Sequence, residues 1–127
     1  MDFANVNLHS ALLAHAKLQG ANFQGANLSN TNLTNAYLFN ANLTDANLEG
    51  ANLEGANLRG VNIQNANLAN ANLKGMHLND INLSNVNLKG ANLEGANLRN
   101  VNLTTADLRG AISNEPIWKE RISKVPI

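Results

Sequence analysis

No cysteine occurs in the 127 residues, so disulfides, thiolate metal sites and thiol catalysis are excluded. Aromatic residues are scarce, at 4%, and any interior must be built from small units, chiefly Ala and Leu. Neither sign of charge is in surplus: Lys plus Arg is 9 and Asp plus Glu is 9. A non-specific nucleic-acid binder needs excess cations to displace counterions, and a general mimic of DNA needs the opposite excess, so neither class is favoured. No stretch approaches the ~18 apolar residues of a membrane span. The opening MDFANVNLHS has no basic region followed by an apolar run, hence no secretory signal is expected. The expectation is a single cytoplasmic domain without membrane or nucleic-acid contact.

What the sequence does have is a five-residue phrase. Residues 41 to 60 say it four times, as ANLTD ANLEG ANLEG ANLRG. The same frame runs from Met1 to Gly110 without an insertion or deletion, which makes 22 consecutive pentads. The third position is Leu except at Phe3, Phe23 and Ile63. The first is Ala except at Met1, Val6, Thr31, Val61, Met76, Ile81, Val86 and Val101. The second is Asn except at Asp2, Leu12, Lys17, Tyr37, His77 and Asp107. Positions four and five vary and are mostly polar, with Gly or Asn common at five.

A helix advances about 100° per residue, so a period of five would wind the Leu column around it. A plain strand alternates with period two, and five is odd. A short extended piece with one corner per pentad fits: positions one and three point in, two and four point out, and five turns the corner. Asn, Asp and Gly tolerate corner dihedrals and supply local hydrogen bonds. Repeated cornering in one direction closes a coil, and stacked coils make a solenoid. The exceptions favour four pentads per coil, because Phe3 and Phe23, then Val61, Ile81 and Val101, recur at intervals of 20.

The phrase, as in Ala51-Asn52-Leu53-Glu54-Gly55, resembles the pentapeptide-repeat family. The resemblance implies an all-β fold, a right-handed quadrilateral β-helix, here of about 5.5 coils over residues 1–111. At about 4.8 Å per coil the rod would be roughly 26 Å long. It also implies kinship with the small single-domain members that are numerous in cyanobacteria, for most of which no biochemical role is implied.

Both ends of a solenoid expose apolar surface and unpaired strand edges. Residues 112–127 are expected to form a capping segment of the same domain. Ser113-Asn114-Glu115-Pro116 has the residues of a helix start. Ile112, Ile117, Trp118, Ile122 and Val125 would lay an apolar surface over the last coil, with partner docking as the second use of such a helix. At the other end Phe3 is a large filler for the first coil and Leu12 breaks the Asn column outward. Those two residues mark a candidate contact for a homodimer paired through the N-terminal end.

Sorted by the 20-residue phase, the outward positions fall on four faces. One carries Glu54, Lys74 and Glu94, an alternating ladder. A second is uncharged. A third carries Glu49, Ala69, Lys89 and Arg109. The fourth holds Lys17, Tyr37 and His77 at position two, and Phe39, Arg59 and Arg99 at position four. Exposed aromatics with Arg are the usual composition of a contact patch, so Lys17, Tyr37, Phe39, Arg59, His77 and Arg99 form the candidate interaction face, with surface drift as the competing explanation.

No catalytic, cofactor-binding or metal residue emerges. His9, His15 and His77 lie on different faces or far apart. No serine sits beside a credible base, no phosphate loop occurs, and a regular rod offers no concave site. The expected function is therefore a non-enzymatic protein-interaction rod with an unidentified protein partner and no cofactor. Some members of the family inhibit or protect type II topoisomerases by mimicking DNA. That alternative is disfavoured here by the zero net charge.

Overall fold

The computed structural model describes residues 1–113. Each pentad uses its five residues in the same way. The fifth has positive φ, between 55° and 72°, at every occurrence from Asn5 to Gly110. This is the left-handed region open to Gly and tolerated by Asn and Asp, which is why those types recur at the corner. Thr105, with φ of 61°, is a β-branched residue held there at a cost in strain.

All five N–H groups of a pentad have a destination, and together they account for the consensus. In the pentad Ala26–Asn30, the position-three N–H of Leu28 donates to the Asn47 carbonyl at 2.7 Å. The position-two N–H of Asn27 donates back to Val6, at 3.0 Å, and that of Asn30 at position five donates to Glu49, at 2.8 Å. The position-one N–H of Ala26 closes a turn on Phe23, at 2.9 Å. Only the N–H at position four lacks a backbone acceptor, and the Asn side chain at position two supplies one. Ser29 N–H donates to Asn27 Oδ1 at 3.1 Å, an Asx turn. Every Asn at position two from Asn7 to Asn102 makes this bond. Asp2 and Asp107 make it too. The Asn column is thus a structural requirement, since a backbone donor left over must otherwise turn to water.

Every bridge joins residues 20 apart in parallel, from Asp2↔Asn22 to Asn92↔Ile112. One circuit therefore takes 20 residues, and the chain is a repeat solenoid. The Asn side chains also link coil to coil, as where Asn67 Nδ2 donates to Asn47 Oδ1 and Asn87 Nδ2 to Asn67 Oδ1. Positions one and three fill the interior: Ala51 and Leu53 are fully buried, as are Ala91 and Leu88. Burying each such Leu contributes about 1.5–3 kcal/mol, and Ala at position one leaves room for the chain to close.

At the N-terminal end the interior is less covered. Phe3, Leu8, Leu13 and Ala16 are only partly buried. Phe3 stacks on Phe23 with ring centroids 5.0 Å apart and planes 11° from parallel, so the two Phe residues fill one column of the first two coils. Leu12 points outward and is 85% exposed. At the other end the ladder runs on to Ile112, whose N–H donates to Ala91 and whose carbonyl accepts from Leu93. Ile112, expected in the cap, stands in the ladder opposite Asn92 as an outward position-two residue, 54% exposed. The expected capping helix with Ile117, Trp118, Ile122 and Val125 lies outside the described residues, and no helix occurs among residues 1–113.

Candidate functional site

Bridges Lys17↔Tyr37, Tyr37↔Asn57 and His77↔Asn97 place the expected interaction residues in one column, with Gln19, Phe39, Arg59, Asn79 and Arg99 two positions on. Lys17, Tyr37, Arg59, His77 and Arg99 are exposed, and Phe39 is half-buried. Lys17, Arg59 and Arg99 have no ion-pair partner among the described residues. The neighbouring acid, Asp80, accepts from Asn79 Nδ2 at 3.0 Å and Asn100 Nδ2 at 3.2 Å. Those two bonds, with help from the Arg99 charge, hold its carboxyl below the usual range.

Four departures from Asn at position two carry a penalty. Leu12, Lys17, Tyr37 and His77 cannot accept from the N–H two residues on. The N–H groups of Ala14, Gln19, Phe39 and Asn79 make no hydrogen bond within the described chain. An exposed bond of this type contributes up to about 1 kcal/mol. Three of the four residues that give it up lie on one face.

The stack also opens on this face. One coil earlier, seven backbone bonds join the segment 35–45 to 54–64. Asn35, Leu38, Asn40, Leu43 and Asp45 donate forward, and Asn57 and Asn62 donate back, at 2.6–3.1 Å. None of the corresponding seven bonds forms between 55–65 and 74–84. The bridges that would pair Asn57 with His77 and Asn62 with Asn82 are missing, while Asn52↔Asn72 and Asn67↔Asn87 close the ladder on either side. The result is an opening of about 780 Å³ lined by Gly55–Val61 above and by His77 and Asn79–Asn82 below. The expectation that a regular rod has no concave site is thereby corrected.

The opening coincides with larger residues at position one. Here Ala56 and Val61 lie over Met76 and Ile81, the first two of three consecutive position-one residues larger than Ala, the third being Val86. Excess volume in a packed interior pushes neighbouring backbone apart. The turn bonds at Met76 and Ile81, both 3.2 Å, match those at Ala66 and Val86, where the ladder is closed, so the turns themselves are kept. Loss of Asn at position two is not the cause, because Tyr37 also replaces Asn and its ladder is intact: Leu18 N–H reaches the Tyr37 carbonyl at 2.9 Å. Met76 and Ile81 stand out in the sequence as exceptions at position one, but Val86 continues the series beside a closed ladder, so the sequence alone does not mark the opening.

The other faces are solvated charge. Lys74 Nζ stands 3.6 Å from Glu94 Oε1, with both side chains well exposed. Glu54 accepts instead from Asn72 Nδ2 at 3.4 Å, so the expected ladder is half made. Exposed pairs of this kind contribute about 0–1 kcal/mol. Arg109 clasps Asp107 through Nε and Nη2, at 2.9 and 2.6 Å. His9 Nδ1 lies 2.7 Å from Ser29 Oγ. Among the described residues no three His, Cys, Asp or Glu side chains gather as metal ligands would.

Comparison with known proteins agrees with this geometry. A family model described as pentapeptide repeats matches residues 2–40, 36–75 and 77–112. The chain belongs to the pentapeptide-repeat family. Among solved structures, this pentapeptide-repeat chain is similar to a pentapeptide repeat protein of the Arabidopsis thaliana thylakoid lumen. The two are 35% identical over 80% of this chain and 64% of that one, with a TM-score of 0.56. It is also similar to Rfr23 from the cyanobacterium Cyanothece, at 36% identity over 86% of this chain and 65% of that one, with a TM-score of 0.43. QnrB1, a plasmid-mediated fluoroquinolone resistance protein, shares the fold at 19% identity and a TM-score of 0.57, over 90% of this chain and 78% of that one. The chain thus spans less than two thirds of the Arabidopsis protein's length, at 64%. No curated protein matches the chain.

Proposed function

We propose that this chain is a non-enzymatic interaction rod, a right-handed quadrilateral β-helix of about 5.5 coils that binds a protein partner through the face bearing Lys17, Tyr37, Phe39, Arg59, His77 and Arg99. The observation that carries this reading is the sacrificed Asx turn. Packing and solubility alone would keep Asn at position two, which satisfies a backbone donor at no cost. Lys17, Tyr37 and His77 forgo that bond on one face and present a cation, an aromatic ring and an imidazole in its place. Large surface aromatics beside Arg are what partner surfaces use.

The test is the double variant Tyr37→Asn with Phe39→Thr. Restoring Asn lets the N–H of residue 39 bond again, so the variant should melt at or above the parent's temperature. It should lose the proteins that the parent captures from an extract of its native source. Capture undiminished by the double variant discards the face. The reading as a DNA-mimicking topoisomerase inhibitor draws on the shared fold with QnrB1 alone. It lacks the negative surface such mimicry needs, since the net charge is zero and the differentiated face is basic.

A further inference from the structure

The opening between 55–65 and 74–84 lies in the middle of the proposed partner face, and its chemistry differs from that of an apolar groove. From above, the N–H groups of Leu58 and Gly60 and the carbonyl of Ala56 line it without partners, and the Ile63 N–H just beyond the lining is unpaired as well. From below, His77 and Asn82 each present both an N–H and a carbonyl. Donors and acceptors are therefore both on offer, along two facing edges. An anion would satisfy the donors and leave the carbonyls bare. A peptide backbone satisfies both, and residues presenting N–H and C=O together are what a parallel strand pairs with.

We propose that this opening is a slot for a short extended peptide, taken up as one added strand between the coils and anchored by an acidic side chain on Arg59. The proposal rests on the reading of this face as the partner surface and names the class of partner. The volume, about 780 Å³, is within the about 300–1,000 Å³ of ligand sites. Charge selects the anchor: Arg59 lines the slot with no ion pair among the described residues, and His77 stands across from it. The acid at the rim, Asp80, is already engaged by Asn79 and Asn100. Tyr37 and Phe39 sit one coil above on the same face, where they can cover side chains of the incoming strand. The closed ladder at Asn52↔Asn72 and Asn67↔Asn87 limits the length of strand admitted.

The experiment pans a phage-displayed library of linear ten-residue peptides on the full chain, then titrates the enriched peptides into the isotope-labelled full chain and follows amide hydrogen exchange. In the free protein the amides of Leu58, Gly60, Ile63, His77 and Asn82 should exchange far faster than those of Leu38 and Leu43. The enriched peptides should carry Asp or Glu, should slow exchange at those five amides, and should bind about tenfold or more weakly to Arg59→Gln, as loss of one charged hydrogen bond implies. Met76→Ala with Ile81→Ala restores the small position-one residue of the regular coil, so it should let the ladder close, protect the five amides without peptide and abolish binding. The slot is overturned by any of four results: those amides already protected in the free chain, which would mean that the chain fills its own gap; no enriched peptide; binding that leaves the five amides unchanged; or equal affinity for Arg59→Gln. If Tyr37→Asn with Phe39→Thr loses its partners while the slot amides never respond, the face stands and the slot falls. If peptides enter the slot while that double variant keeps every partner, the slot stands and the wider face falls.

Discussion

At the scale of single residues, two kinds of side chain do local work that the repeat makes visible. One kind satisfies the backbone, as the Asn column does. The other replaces it. Asp107 belongs to the first kind and adds a charge: its carboxylate accepts from the Arg109 N–H at 3.1 Å and from the Arg109 guanidinium. These bonds, with the Arg109 and Lys89 charges, lower its pKa to about 2. A carboxyl depressed in the folded state stabilises the fold above its unfolded pKa, ordinarily about 3.9. That contribution is lost as pH falls from about 4 toward 2. Asp107→Asn keeps an acceptor for the Arg109 N–H but cannot titrate. Urea unfolding of parent and variant as a function of pH should show the stability gap shrinking as pH falls through this window. A gap that is constant from neutral pH down to pH 2 removes the ion pair from the account. The site is exposed, so the effect will be small and screened by salt.

At the scale of the coil, the period, the inward columns, the corner and the 20-residue register were all legible in the sequence. They were legible because each follows from one constraint repeated 22 times, so a single exception cannot mislead. Lys17, Tyr37 and His77 were found by the same means. Two things were less legible. The physical duty of Asn at position two becomes plain only when all five N–H groups are traced to acceptors. The opening depends on which position-one residues stack and on how far the backbone yields, and Met76 and Ile81 as isolated exceptions do not state that. The Asn column offers a direct check on the first point. Asn67 accepts from the Ala69 N–H, donates to Asn47 and accepts from Asn87. A typical outward substitution changes stability by less than about 0.5 kcal/mol. Asn67→Ala should lose about 1–3 kcal/mol, because one change removes three bonds and leaves a backbone donor over. Denaturant titration decides it, and a loss within the ordinary surface range would reduce the column to a consequence of sequence repetition.

At the scale of the whole molecule, the stack is well sealed in the middle of its first half and less so at residues 1–16. Interior residues Phe3, Leu8, Leu13 and Ala16 are only partly covered, and Met1, Val6 and Leu12 are exposed at 68%, 39% and 85%. Among the described residues the N–H groups of Asp2, Asn7, Leu12 and Lys17 also have no backbone acceptor, an edge of the kind that pairs with another chain. The two features point the same way. Apolar area and unpaired edge are removed from water together if two copies meet through this end, and a two-fold pairing would bring each edge and each apolar rim against its own kind. Light scattering coupled to size exclusion should then return twice the 13.6 kDa chain mass at high concentration. Leu12→Asn should shift that balance toward the monomer while adding an Asx acceptor for the Ala14 N–H, so the variant should be no less stable than the parent. The partner face and its slot lie farther along the stack, and Arg59→Gln should leave the mass unchanged. A clean monomer in the parent at high concentration would leave the first coil as a frayed end that the remaining stack tolerates, and would remove the N-terminal pairing.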